Sequence, residues 1–230
     1  MFYRLIPFAI ACAVFAQQPS SAPAPARPGE RTGARAPLFF REAWKTAPGA
    51  GEHGVTQEQV ASATLELKLY GPSSKEVQVL GSAEDPSNPP HVWTGLVTSP
   101  VAVALRDKGN YVDLTGLARI RWQTKVSGFH QVHPIVKLAD GTWLVGDHAD
   151  GSPLDWHDSD FSIAEVRWLK LDIDKVLTRG NWVEHPDLSK VDEVGFTDLL
   201  PGSGHGPGGW SDVAWFEVYG KPVKRDAATN

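Results

Sequence analysis

Polar and apolar residues alternate in short runs along most of this chain, with the period of strands. In 117–125, LARIRWQTK, the side chains of Ala118, Ile120, Trp122 and Thr124 fall on one face and those of Arg119, Arg121, Gln123 and Lys125 on the other. The pattern recurs in 64–70, with Leu65, Leu67 and Leu69 against Glu66 and Lys68, and in 165–173, with Leu169, Leu171 and Ile173 against Trp168, Lys170 and Asp172. It returns around Val194 and Phe196, and in 212–219, where Ala214, Phe216 and Val218 oppose Trp215, Glu217 and Tyr219. Shorter runs at 38–44, 91–95, 101–105 and 111–114 read as further strands bounded by Gly, Pro, Asn and Asp turn residues. Helical periodicity is nearly absent: 55–62 offers one short turn, with Thr56 as N-cap and Gln59 three residues on. About ten short strands with turn signals between them and no internal repeat predict an all-β chain, an antiparallel β-sandwich of the jelly-roll kind.

The stretch 117–160 concentrates the chemistry. After a turn at Val126-Ser127-Gly128, the apolar set Val132, Pro134, Val136 and Leu138 opposes Gln131, His133 and Lys137, which share their face with Phe129 and Ile135. Asp140-Gly141 is a strong hairpin signal, and beyond it Trp143 and Asp147 oppose Leu144. The expectation is a three-stranded antiparallel meander whose polar faces gather Arg121, Gln123, Gln131, His133, Trp143 and Asp147, with Trp168 and Lys170 beside them. Arg, Gln and Asp direct hydrogen bonds at hydroxyls and tryptophan stacks on flat apolar ligand faces, so this surface is the expected ligand site for a carbohydrate or related polyhydroxylated ligand. The competing reading is a solvated sheet face with its tryptophans packed under loops.

Composition sharpens this in two places. Nine tryptophans in 230 residues is a high count, which either core filling or stacking on flat ligand faces can explain, and 22 Gly with 18 Pro fit a turn-rich chain. The N-terminus has one cation, Arg4, a short apolar run and small residues before Gln17, the pattern of a secretory signal peptide spanning 1–16. A lipoprotein reading at Cys12, preceded by Ala9-Ile10-Ala11, is the alternative. Cleavage after Ala16 would remove the single cysteine and Arg4, taking the formal charge from −5 to −6 and leaving no disulfide. The Pro/Ala-rich segment 17–37 reads as a disordered linker, 38–220 as the sandwich domain and 221–230 as a flexible tail. Export to periplasm or exterior is expected. The mildly acidic balance and the lack of a basic patch argue against nucleic acid, and no stretch has the length and apolarity of a transmembrane helix.

Asp147, His148, Asp150, Asp155, His157, Asp158 and Asp160 form the densest cluster of acids and histidines. In the alternative reading of the chain as a glycoside hydrolase or lyase, the acids come from Asp147, Asp150, Asp155 or Glu217, since such chemistry needs two carboxyl groups about 5–10 Å apart. The bland reading is a set of solvated turns. His130 and His133 stand three apart in a strand and so point to opposite faces, which separates them as metal ligands. HExxH, CxxC and GxSxG are absent, and the glycine-rich 201–209 lacks the lysine and following helix of a phosphate loop.

The strand IRWQTK, the hairpin VKLADGTWLV and the closing pair VDEVGFTDL and VAWFEVYG resemble the galactose-binding-like jelly rolls, which include many carbohydrate-binding modules and the complex I assembly factor domain. The layout from FFREAW to FEVYG is similar to that of a group of exported bacterial proteins, and the resemblance covers 38–220. It implies a non-catalytic, lectin-like binder, with a protein-interaction or assembly domain as the second alternative to the enzyme. It also implies a structural Ca²⁺, the one cofactor in view, held by acids near the first and last strands. The matching positions are Glu42 and Glu217; Ala214 stands where an aspartate is common, with Asp212 close by.

Overall fold

The computed structural model describes residues 35–49, 51–151, 154–202 and 209–225. The signal-peptide segment, most of the linker and 203–208 of the glycine-rich stretch lie outside the described residues. Among the described residues fifteen strands follow one another: β1 (Leu38–Glu42), β2 (Leu65–Tyr70), β3 (Gln78–Leu80), β4 (His91–Trp93), β5 (Val101–Asp107), β6 (Asn110–Asp113), β7 (Arg119–Val126), β8 (Val132–Leu138), β9 (Trp143–Gly146), β10 (His157–Ser162), β11 (Trp168–Asp172), β12 (Leu177–Val183), β13 (Val191–Asp198), β14 (Ser211–Tyr219) and β15 (Lys221–Lys224). The expected turn at 55–62 is a single 3₁₀ turn, Gln57–Gln59, where the Thr56 N–H donates to Gln59 Oε1 at 2.7 Å. None of the described helices is long and apolar enough to cross a membrane.

The strands form two antiparallel sheets packed as a sandwich, the predicted fold class. A six-stranded sheet runs β10-β7-β14-β4-β3, with β1 on the same edge of β14 as β4, and a nine-stranded sheet runs β12-β11-β9-β8-β13-β5-β2, with β6 and β15 beside β13. The alternation predicted for β7 holds in full, its burial switching between half-buried and buried at every residue. The Asp140-Gly141 hairpin also forms, Gly141 taking φ +89° and Leu138 N–H donating to Thr142 O at 2.8 Å.

The meander does not form. β7 lies in the six-stranded sheet between β10 and β14, whereas β8 and β9 lie in the nine-stranded sheet, so 127–131 carry the chain from one layer to the other. Trp122, Phe161 and Phe216 from one sheet meet Phe196 from the other in a continuous aromatic core, with ring centroids 5.0–6.0 Å apart. Trp44 closes on Phe196 edge-on at 6.4 Å. A second apolar cluster, Ala102, Ala104, Ile135, Trp143, Val145, Leu171 and Val176, covers part of the outer face of the nine-stranded sheet. Val176 sits there fully buried with φ +49°, an unusual conformation for a β-branched residue that only tight packing sustains.

The strand succession also continues past Gly220. β15 pairs with β6, and Arg225 lies over the Tyr111 ring at 4.2 Å while its Nη1 reaches Asp192 Oδ1 at 2.5 Å. The flexible tail expected at 221–230 is corrected for 221–225, because β6 offers an unpaired edge that the chain returns to cover; 226–230 lie outside the described residues.

Candidate functional site

The outer face of the six-stranded sheet gathers polar and aromatic side chains from four strands. β7 presents Arg119, Arg121, Gln123 and Lys125, because its other residues fill the core. On β14 a register shift between Val213 and Trp215 re-aims the strand, so that Trp215 stands opposite Gln123, Glu217 opposite Arg121 and Tyr219 opposite Arg119. β10 sets Asp160 opposite Arg121 and Asp158 opposite Gln123, and β1 sets Arg41 opposite Glu217.

Glu217 organises the centre. Its carboxylate is 6% exposed and accepts from Arg41 Nη1, from Arg121 Nη1 at 3.2 Å and from the Tyr219 hydroxyl at 2.8 Å. Around it Arg119 pairs with Asp160 at 2.9 Å, and Gln123 donates to Asp158 at 2.9 Å. Guanidinium groups lie over the rings: Arg41 and Arg121 over Trp215 at 4.9 and 5.5 Å, and Arg119 over Tyr219 at 4.3 Å. Arg121 Nε has no hydrogen-bond partner among the described residues; its nearest acid, Asp160, is 3.5 Å away. The result is a platform of fixed donors and acceptors beside the Trp215 and Tyr219 rings.

One end of this face is closed. Asp212, opposite Lys125 on β7 and Trp93 on β4, is buried, and burial pushes its carboxyl up to about 7 against the pull of Lys125 and the Trp210 side chain. His91 Nε2 lies 3.7 Å from it, and burial holds that imidazole below its usual range. Trp156 packs edge-on against His91 at 5.2 Å, and its indole N–H donates to Ser87 O at 3.1 Å.

Of the predicted ligand residues, Arg121 and Gln123 belong to this platform. The other six do not, because the chain changes sheets before reaching them. Gln131 is exposed in the crossing segment, and His133, half-buried, contacts Gly146 O through Nδ1 at 3.2 Å on the other sheet. Trp143 is buried edge-on against Tyr70 at 4.8 Å with Lys137 above it, Trp168 lies in the core, and Lys170 is exposed on β11. Asp147 pairs with Arg167 at 2.8 Å; burial disfavours its charge, but the Arg167 N–H and guanidinium outweigh this and hold the carboxyl below the usual range. Trp143→Ala is therefore expected to cost about 3 kcal/mol of stability, read in a urea melt, and to leave any ligand on the platform untouched.

The catalytic alternative is corrected in the same way. Asp147 is bound to Arg167. Asp150 accepts the Trp122 indole N–H at 2.5 Å and lies 3.3 Å from His148, and Asp155 accepts the Trp156 N–H at 2.8 Å. Glu217 belongs to the arginine cluster, so the four carboxylates answer to separate partners and form no acid/base pair. The metal pair is also divided. Arg41 faces Glu217 across β1 and β14 while Glu42 faces Phe216, so Glu42 and Glu217 project from opposite faces of the sheet. Glu42 is fully buried and accepts the Ala61 and Ser62 N–H groups at 2.6 and 3.1 Å, anchoring that segment to β1. Among the described residues no group of three or more acid, His or Cys side chains could hold a metal ion.

A serine, a histidine and an aspartate do meet elsewhere. Ser211 Oγ and His130 Nδ1 both donate to Asp198 Oδ2, the latter at 2.5 Å, and all three are buried. A nucleophile needs the histidine between hydroxyl and carboxylate; here the carboxylate is in the middle, and the set is structural.

Sequence reasoning missed Arg41, Arg119, Asp158, Asp160, Trp215 and Tyr219 as site residues. The signal was available in the outward rows of two strands, Arg-x-Arg-x-Gln-x-Lys in β7 and Trp-x-Glu-x-Tyr in β14.

No family model and no curated protein matches this chain. Among solved structures it is similar to the family 11 carbohydrate-binding module of a cellulosomal cellulase of Clostridium thermocellum, at 14% identity, over 73% of this chain and 93% of that one, with TM-score 0.45. It is similar to the Clostridium thermocellum family 11 module in complex with a β-1,3-1,4-mixed-linked tetrasaccharide at 13% identity, over 75% of this chain and 98% of that one, with TM-score 0.45. Arcelin-5, a lectin-like defence protein from Phaseolus vulgaris, is similar at 8% identity, over 80% of this chain and 97% of that one, with TM-score 0.33.

Proposed function

We propose that this chain is an exported, non-catalytic carbohydrate-binding protein whose binding surface is the outer face of the six-stranded sheet. The observation that carries this reading is the Glu217 cluster: one buried carboxylate fixes two guanidiniums and a phenol on one sheet face, with both guanidiniums within 5.5 Å of the Trp215 ring. Fixed planar donors beside carboxylates suit vicinal hydroxyls, which both donate and accept, and the aromatic rings suit the C–H face of a pyranose. Four strands hold the array, so little order has to be gained on binding. The carboxylates on the open part of the platform, Asp158, Asp160 and Glu217, are each matched to an arginine or an amide, an arrangement suited to recognition.

The test is a glycan array followed by titration calorimetry with any captured sugar. Trp215→Ala is expected to weaken binding by about five- to a hundredfold, on the order of 1–3 kcal/mol for losing an aromatic ring contact. Trp143→Ala, corrected for its lower stability, is expected to bind as the parent does. Equal affinity of parent and Trp215→Ala for a captured glycan would remove the platform from consideration, and no capture of any glycan by a folded parent would remove the function.

A further inference from the structure

A second recess lies on the nine-stranded sheet, beside the hairpin of β11 and β12. It encloses about 430 Å³, within the 300–1,000 Å³ range of ligand pockets. Its floor is apolar, with Ile163, Val166, Trp168, Val183 and Leu188, and its rim is polar, with Arg167, Glu184 and His185. Trp182 forms one wall and is 48% exposed, the most exposed tryptophan among the described residues.

Three features separate this recess from an accidental groove. The Arg167 guanidinium lies over the Trp182 ring at 4.5 Å and is held there by Asp147, which accepts from both Arg167 Nε and Arg167 N–H at 2.8 and 2.9 Å. The Trp182 wall is therefore held in place before any ligand arrives. Glu184 and His185 have no side-chain hydrogen bond or ion pair among the described residues, so their polar atoms remain free for a ligand. His185 also takes φ +48° immediately before Pro186. A non-glycine residue in the left-handed region is uncommon, and a following proline disfavours helical conformations, so the chain holds a costly turn at the mouth of the recess. Such strain gathers where geometry serves recognition.

We infer that this recess is a second saccharide site, separate from the sheet platform, which takes the end of a neutral glycan chain. Trp182 supplies the plane for one pyranose face, and Glu184 and His185 supply hydrogen bonds to its hydroxyls. The charge pattern selects the class. Asp147 neutralises Arg167, which leaves the Glu184 carboxylate as the uncompensated charge at the rim and disfavours uronates, sulfated sugars and phosphates.

The two sites can be read apart in one experiment. In a proton–nitrogen correlation spectrum of the labelled chain, the Trp182 and Trp215 indole resonances are assigned from Trp182→Phe and Trp215→Phe. The probes are cellohexaose, xylohexaose, laminarihexaose and a mixed-linked β-glucan hexasaccharide, with oligogalacturonate as the anionic counterpart. The expected result is a saturable shift of the Trp182 resonance with a neutral oligosaccharide, retained in Trp215→Ala and weakened about tenfold in Glu184→Gln by loss of a charge-assisted hydrogen bond. A Trp182 resonance that stays still while Trp215 saturates would overturn the second site and leave the platform standing. Movement of Trp182 only with oligogalacturonate would overturn the assignment of a neutral ligand. A Trp182 shift with Trp215 unmoved would support the recess and count against the platform, and stillness of both would remove both.

Discussion

Asp198→Ala is expected to cost about 2–6 kcal/mol of folding stability, about 1–3 kcal/mol for each of the two buried donors, Ser211 and His130, that it leaves unsatisfied. Asp198 closes β13 in the nine-stranded sheet, yet its carboxylate is bound by groups from outside that sheet. Ser211 at the start of β14 and His130 in the crossing segment both donate to Oδ2, and Leu200 N–H donates to Oδ1 at 3.0 Å. Ser211 is tied in turn to Thr94, each backbone N–H of the pair reaching an oxygen of the other residue at 3.1 Å. Removing the carboxylate orphans two buried donors at once, one in the other layer and one in the segment that joins the layers. Ser211→Ala removes a single donor and is expected to cost less, about 1.5–3 kcal/mol. Urea melts followed by tryptophan fluorescence measure both; a loss below about 1 kcal/mol for Asp198→Ala, the scale of an exposed pair, would show that the staple does not hold the layers.

Stability is expected to fall as pH rises from 4 to 7, and Asp212→Asn is expected to abolish the fall. Burial raises this carboxyl from its ordinary 3.8 to about 7, and one of its oxygens, Oδ1, has no hydrogen-bond partner among the described residues. Below 3.8 the group is protonated in both states and contributes no slope. Between 3.8 and about 7 the native chain keeps a proton that the unfolded chain has released, so each step up in pH favours unfolding. Integrated over that window the penalty is on the order of 4 kcal/mol, an upper figure because water and small movements relieve buried charge. His91 works the other way: its depressed pKa removes stability as pH drops through the ordinary imidazole value of 6.5. Unfolding free energies of parent and Asp212→Asn at pH 4 to 8 separate the two groups. The variant should match the parent near pH 4 and exceed it at pH 8, and parallel curves would mean that Asp212 ionises freely.

The alternation of side chains made individual strands legible, and with them the sandwich, because a strand's two faces are written in its own residues. Neighbours are not. The five residues 127–131 contain a glycine at φ +68° and are short enough for a hairpin, yet they cross between layers. That one crossing separated Arg121 and Gln123 from Gln131, His133, Trp143 and Asp147. Tryptophan misled for a related reason. Trp143 does face outward from its sheet, but the outer apolar cluster and Tyr70 cover it, and five of the nine tryptophans (Trp44, Trp93, Trp122, Trp143 and Trp168) are buried. The bland reading of those rings was right for most of them. In the sequence Glu217 reads as a metal ligand or as an acid; its role as an arginine organiser follows from β14 lying between β7 and β1, a pairing across about 100 and 180 residues of chain that no local pattern encodes.

β14 therefore governs the order in which the molecule can be assembled. Its partners β1, β4 and β7 are made long before it, and each must wait for a strand near the end of the chain. The β8–β9 hairpin can close early, whereas the face bearing Arg41, Arg121 and Glu217 does not exist until residue 219 has emerged. Pairings so distant in sequence fold slowly, and waiting strand edges are exposed to aggregation. A chain arrested short of β14 thus carries every residue of the early strands and can pair β7 with β10, but it lacks the Glu217 centre that joins Arg41 to Arg121.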